Sequence, residues 1–150
     1  MDCASRWRYA WVTTEQSNRT AVLFLEKLVR AAPFHIRGIQ TDNGSIFTNY
    51  YTGYQKSADP AHPRLHAFDC ACMERSIAHF LIDPGKPAQN GKVERSHRTD
   101  REEFWNDVRF HTIPELKRKH EAHMLRYNTE REHFGIGGKT PTEYLATCPI

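Results

Sequence analysis

The sequence predicts an α/β domain, one sheet with helices packed against it, on three observations. Short β-leaning runs are interspersed with helix-patterned ones, several of the helical runs carry recognisable starts, and no repeat, low-complexity tract or linker divides the chain. At 150 residues it is at most one domain, long enough to bury about 68 to 70% of its unfolded surface.

The elements follow in order. Arg6 to Thr14 alternates, with Trp7, Tyr9 and Trp11 on one side, and reads as a strand. Ser17 or Asn18 caps a helix running to about Ala31, in which Ala21, Phe24, Leu25, Leu28 and Val29 form one apolar stripe, and Pro33 follows its end. Ile36 to Thr41 is short and β-leaning, bounded by Pro33 and Asn43-Gly44, and reads as a strand ending at Asp42. Phe47 to Leu65 is rich in Tyr, Thr, Gly and Pro without sustained period and reads as an irregular loop. Its tyrosines suit local packing, with stacking on bases as the alternative. His66 to Ala78 allows a short helix and His79 to Ile82 a short strand. Thr112-Ile113-Pro114-Glu115 starts a helix reaching about Tyr127, and Thr140-Pro141-Thr142-Glu143 starts a last one to about Ala146.

Composition narrows the function classes. No apolar run approaches the roughly 18 residues of a membrane span and no basic-then-apolar leader opens the chain, so the expectation is a cytosolic protein with no membrane partner. The cysteines Cys3, Cys70, Cys72 and Cys148 are unevenly spaced and read as structural thiols. A zinc site from His62, His66, Cys70 and Cys72 is disfavoured, because only one residue separates the two cysteines and Pro60 and Pro63 interrupt the histidine segment. The net charge of +3 is small, but cations concentrate from Lys86 to Arg101.

That basic stretch begins in a loop. Pro84, Gly85, Pro87 and Asn90-Gly91 exclude regular structure, and the chain then runs into Lys92 to Trp105, a helix without a breaker. Glu94 therefore sits near a helix start among Lys86, Lys92, Arg95, Arg98 and Arg101, and it shares a face with Arg98 and Arg101. Alone, this reads as a Glu94–Arg98 pair on a solvated face, worth about 0.3 to 0.5 kcal/mol. Asp42 changes the weighting, since a strand's carboxyl end is where open α/β sheets place their ligand sites.

Thr41-Asp42-Asn43-Gly44, then Pro84-Gly85-Lys86-Pro87-Ala88-Gln89-Asn90-Gly91-Lys92-Val93-Glu94-Arg95, then Tyr127-Asn128, Arg131, His133 and Gly138-Lys139-Thr140-Pro141, resemble the catalytic core of retrovirus-type integrases and insertion-sequence transposases of the Asp-Asp-Glu family. The resemblance spans nearly the whole chain, residues 1–150. It implies an RNase H-like fold, three-layered, with a mixed sheet and helices on both faces. It also implies cutting and joining of DNA in the bacterial cytosol or nucleoid, with transposon ends and target DNA as partners, no small-molecule substrate, and a homo-oligomer in the full-length protein. On this likeness Asp42 matches the family's second aspartate and Glu94 its glutamate, both as catalytic groups and as ligands of two Mg2+ or Mn2+ ions. Lys86, Gln89, Asn90, Lys92, Arg95 and Arg98 fall where DNA is held.

The departures set further expectations. Asp2-Cys3-Ala4-Ser5-Arg6 aligns with the end of the family's second strand, so the first two strands and the first aspartate are expected to be missing, the core incomplete at its amino terminus and inactive as an isolated piece. Asp2 as a substitute acid is the alternative. The separation of Asp42 from Glu94 exceeds that of retroviral enzymes, with the extra length placed between about Tyr50 and Phe68. A second function stays open: a non-catalytic nucleic-acid-binding or assembly module using the Lys86 to Arg101 surface.

Overall fold

The computed structural model describes residues 1–49 and 65–148. Most of the expected irregular stretch, the inserted length and the candidate zinc ligand His62 lie outside the described residues. The chain forms two compact units, Thr13–Gly91 and the pairing of Met1–Val12 with Lys92–Ile150.

In Thr13–Gly91, helix α1 (Asn18–Ala31) starts on a reciprocal cap. Ser17 Oγ accepts the Thr20 amide at 3.3 Å while Thr20 Oγ1 accepts the Ser17 amide at 2.9 Å. Ala21 and Leu25 are buried against Phe68, Ala71 and Cys72 of α2 (Ala67–Met73) and against Ile77. Val29 departs from the expected stripe and is 37% exposed. α2 is shorter than expected: the chain turns at Ser76, whose φ is 55°, and the Ile77 amide returns to the Cys72 carbonyl at 2.9 Å. That turn delivers the chain into the sheet.

The sheet of the described residues pairs β1 (Gly38–Thr41) with β2 (Ala78–Leu81), parallel, in a register from Gly38 opposite Ala78 to Thr41 opposite Leu81. Side chains alternate across it. Ile39, Thr41, His79 and Leu81 share the half-buried face, and Phe80, 57% exposed, points the other way over Gly38. The expected mixed sheet is thus seen here only as its parallel pair.

In the other unit, α3 (Gly91–Asp100) continues through a widened, five-residue π turn, Arg101–Trp105. α4 (Ile113–Thr129) starts as expected, with Thr112 Oγ1 accepting the Glu115 amide at 3.3 Å, and runs two residues past Tyr127. The Glu115 carboxylate accepts the His111 amide and the Lys119 ammonium, which pull its pKa down to about 2. α5 (Pro141–Thr147) carries the Thr140–Glu143 capping box.

The expected strand from Arg6 to Thr14 is not formed: the segment runs without a ladder. Its inward residue is Arg8, 5% exposed, rather than the Trp7, Tyr9 and Trp11 series. Instead of a neighbouring strand, the Asn128 side chain serves its backbone, with Oδ1 accepting the Arg8 amide at 2.9 Å and Nδ2 donating to the Arg8 carbonyl at 2.8 Å. Among the described residues, no helix is long and apolar enough to cross a membrane.

Candidate functional site

Asp42 follows the last residue of β1 and is exposed. Its Oδ1 accepts the Gly44 amide at 3.0 Å, an Asx turn that holds the carboxylate in one rotamer. A Cβ at position 44 would stand 2.9 Å from that oxygen, so a larger residue there would displace the Asp42 carboxylate. Next to it, Asn43 Oδ1 is a buried acceptor with no hydrogen-bond partner. On the same unit, Thr41 Oγ1 lies 2.8 Å from His79 Nε2, and His79 Nδ1 lies 2.6 Å from Asp69 Oδ1. His79 is wedged edge-on against Phe68, with ring centres 5.0 Å apart.

The loop before α3 builds itself around Asp83. Gln89 Oε1 accepts the Asp83 amide at 2.8 Å, while Gln89 Nε2 and Lys86 Nζ donate to Asp83 Oδ2 at 2.9 and 3.0 Å. Gly85 supplies the positive φ of 75° that this turn needs. Two residues expected to contact DNA thus also brace the loop. The backbone at Pro87–Asn90 forms a 3₁₀ turn that feeds directly into α3.

Glu94 stands exposed in the first turn of α3, close to the helix's positive end. The expected Glu94–Arg98 pair is absent. Arg98 leans the other way, to Glu102 at 3.8 Å, and among the described residues no ion pair engages Glu94. Lys92, Arg95, Arg98 and Arg101 are exposed along α3, with Lys92 Nζ reaching the Cys3 carbonyl at 3.5 Å. Asp42 and Glu94 belong to different units. Asp2 is turned to local use, its Oδ2 accepting both the Ser5 amide (2.7 Å) and the Ser5 hydroxyl (2.6 Å).

Each carboxylate, Asp42 on one unit and Glu94 on the other, offers exposed oxygens of the kind a hard divalent cation takes. Mg2+ and Mn2+ prefer such ligands and complete their shells with water or phosphate oxygens. No cluster of three or more His, Cys, Asp or Glu side chains gathers among the described residues. His66 caps α2 through Nδ1, accepting the Phe68 amide at 3.1 Å.

A second polar centre escaped sequence reasoning altogether. Arg8 makes a two-pronged, buried ion pair with Asp100 at the end of α3. The Arg8 guanidinium lies 4.6 Å over the Tyr127 ring, and His123 Nε2 approaches Asp100 Oδ1 at 3.4 Å. Arg131 holds Glu103 through two nitrogens, at 2.8 to 3.1 Å. Tyr127, Asn128 and Arg131 were visible as part of the carboxyl-terminal motif, but nothing in the sequence said that they hold the first residues of the chain and the far end of α3.

The fold is the RNase H-like fold of retroviral integrase catalytic cores. The catalytic core domain of BIV integrase superposes with a TM-score of 0.64 at 22% identity, over 95% of this chain and 80% of that one. Residues 75–141 match the family model of the integrase core domain. The chain is 30% identical over 115 residues to the "Putative integrase ORF3" of Spiroplasma virus SpV1-C74, covering 77% of this chain and 31% of that protein. It is 27% identical over 110 residues to the "Insertion element IS476 uncharacterized 39.2 kDa protein" of Xanthomonas euvesicatoria, covering 73% of this chain and 27% of that protein. The chain therefore spans about a third of the length of these curated relatives.

Proposed function

We propose that the protein takes part in metal-dependent DNA strand cleavage and strand transfer, the chemistry of transposition and integration, acting on transposon ends and target DNA within a homo-oligomer. The observation that carries this reading is the state of Glu94: a carboxylate in the first turn of a helix, exposed and without an ion pair among the described residues although three exposed cations, Lys92, Arg95 and Arg98, lie within about one turn of it. With its oxygens open to solvent, that carboxylate is free to take a cation. In this reading Asp42 and Glu94 are metal ligands, and Asp2, whose Oδ2 accepts the Ser5 amide and hydroxyl, belongs to the turn at the start of the chain.

Two Mg2+ or Mn2+ ions, when bound, stabilise the attacking and leaving oxygens of an in-line displacement at phosphorus. The chain's own contribution is to hold the ligands and the DNA. The Asx turn to Gly44 fixes the Asp42 rotamer. Lys92, Arg95 and Arg98 take backbone phosphates, which gives affinity with little sequence information. Lys86 and Gln89 brace the loop through Asp83 and, with Asn90, place it against the DNA backbone.

The test is Mn2+ binding followed by calorimetry, alongside binding of a random-sequence duplex. Glu94→Gln is expected to remove Mn2+ binding and leave duplex binding within about twofold. Mn2+ binding that survives Glu94→Gln unchanged sinks the assignment of Glu94 as a metal ligand. Duplex binding without any Glu94-dependent Mn2+ binding would favour the second reading, a non-catalytic nucleic-acid module, to which the exposed cations of α3 are equally suited.

A further inference from the structure

Asp69, His79 and Thr41 form a hydrogen-bonded chain that stops one residue short of Asp42. The Asp69 carboxylate can only accept, so His79 Nδ1 carries the proton facing it at 2.6 Å. That fixes the ring's orientation and leaves Nε2 toward Thr41 Oγ1, 2.8 Å away. The same hydroxyl lies 3.0 Å from the Asp42 carbonyl, so its one proton is shared between the ring nitrogen and the backbone that carries the carboxylate. Thr41 is held on its main chain too, its carbonyl accepting the Ile82 amide at 3.1 Å. The His79 side chain is 6% exposed, yet it lies one strand away from an exposed carboxylate. Packing alone does not call for a buried imidazole with both nitrogens engaged; Phe68 provides a partner for any aromatic ring.

We infer that His79, held by Asp69, is a positioning residue for the metal-ligating carboxylate of Asp42, acting through the Thr41 hydroxyl. Asp42 is at the surface, where an acid normally samples several rotamers. Pinning the preceding residue by side chain and main chain, and the carboxylate by Gly44, leaves it few to lose on binding a cation. Groups that orient a metal ligand without touching the metal commonly account for 10- to 100-fold in metal affinity.

The inference rests on Asp42 as a metal ligand, and one experiment separates the two claims. Mn2+ is titrated into the isotopically labelled protein while paramagnetic broadening of the Gly44 amide is followed, with thermal stability recorded for each variant. In the unaltered protein that amide broadens, and Asp42→Asn removes the effect. Thr41→Val, which keeps shape and strand preference, is expected to require about 10-fold more Mn2+, and Thr41→Ser to restore the original titration. His79→Phe keeps the ring against Phe68 and is expected to match Thr41→Val. If Thr41→Val and His79→Phe titrate like the unaltered protein while Asp42→Asn does not, the positioning role is overturned and the metal ligand stands. If the unaltered protein shows no broadening near Asp42, the ligand assignment is overturned and the positioning role with it.

Discussion

Glu94 and Asp100 occupy opposite ends of one helix and show what burial does to an acid. Glu94 is exposed, has no ion pair among the described residues and is available to a ligand. Asp100 is 7% exposed, and Arg8, with His123 near by, takes its oxygens. A buried carboxylate has lost its water and persists in charged form only where protein donors replace it. An exposed one keeps its hydration until something better, such as a divalent cation, displaces it. The same helix thus carries an acid tied into the fold and an acid left open to a ligand, and solvent access separates them.

Removing Arg8 breaks this contrast hardest. Arg8→Met leaves Asp100 buried without its cation and is expected to destabilise the fold by about 3 to 5 kcal/mol in denaturant unfolding. Combining it with Asp100→Leu should recover much of that loss, because it is the orphaned charge that is costly. Recovery that failed to appear would mean the pair does more than neutralise itself. Asn128→Ala comes next. It strips both side-chain bonds from the Arg8 backbone and should cost about 1 to 3 kcal/mol, read by the same unfolding curves.

The pH dependence is a smaller effect and sharpens the comparison. Burial pushes His120 below its ordinary value of 6.5, aided by His123 and Arg8 and opposed by Asp100 and Glu121. His133 is lowered by burial and by Arg131 and Arg6. With folded values below the unfolded one, the unfolded chain takes up protons that the folded chain refuses. Stability from the neutral rings is therefore present above pH 6.5 and declines as pH falls through it. Melting temperature followed between about pH 7.5 and pH 5.5 should drop, and His120→Phe should shallow the decline. Glu94→Gln is the smallest: unfolding free energy should move by less than about 0.5 kcal/mol, whatever happens to activity.

Local chemistry made much of the fold legible. Ser17, Thr112 and Thr140 announce their helices because a cap is written in neighbouring residues, and Asp42 and Glu94 stand in motifs that are themselves local. Arg8 was unreadable for the opposite reason. Its partners Asp100 and Asn128 lie 92 and 120 residues away, and the aromatic alternation around it suggested a strand whose hydrogen bonds a single side-chain amide supplies instead. Asp69, His79 and Thr41 are likewise unremarkable until the parallel pairing of β1 and β2 sets the histidine beside the threonine. Choosing between Arg98 partners on one helix face involves energies of about 0.3 to 0.5 kcal/mol, below thermal energy, so the sequence held no answer there.

The widened turn at Arg101–Trp105 has a consequence for phase. Its closing bond runs from the Asn106 amide to the Arg101 carbonyl at 3.0 Å, one residue longer than an α turn. Each extra residue rotates everything beyond it by about 100° relative to the residues before it. Glu94 and the cations of α3 can therefore keep to the outside while Phe104 turns in, 8% exposed, to stack on His123 with ring centres 4.9 Å apart. Deleting one residue from this turn would straighten the helix and swing its aromatic anchor off that contact, so the insertion works as a spacer that allows one rod to serve two faces.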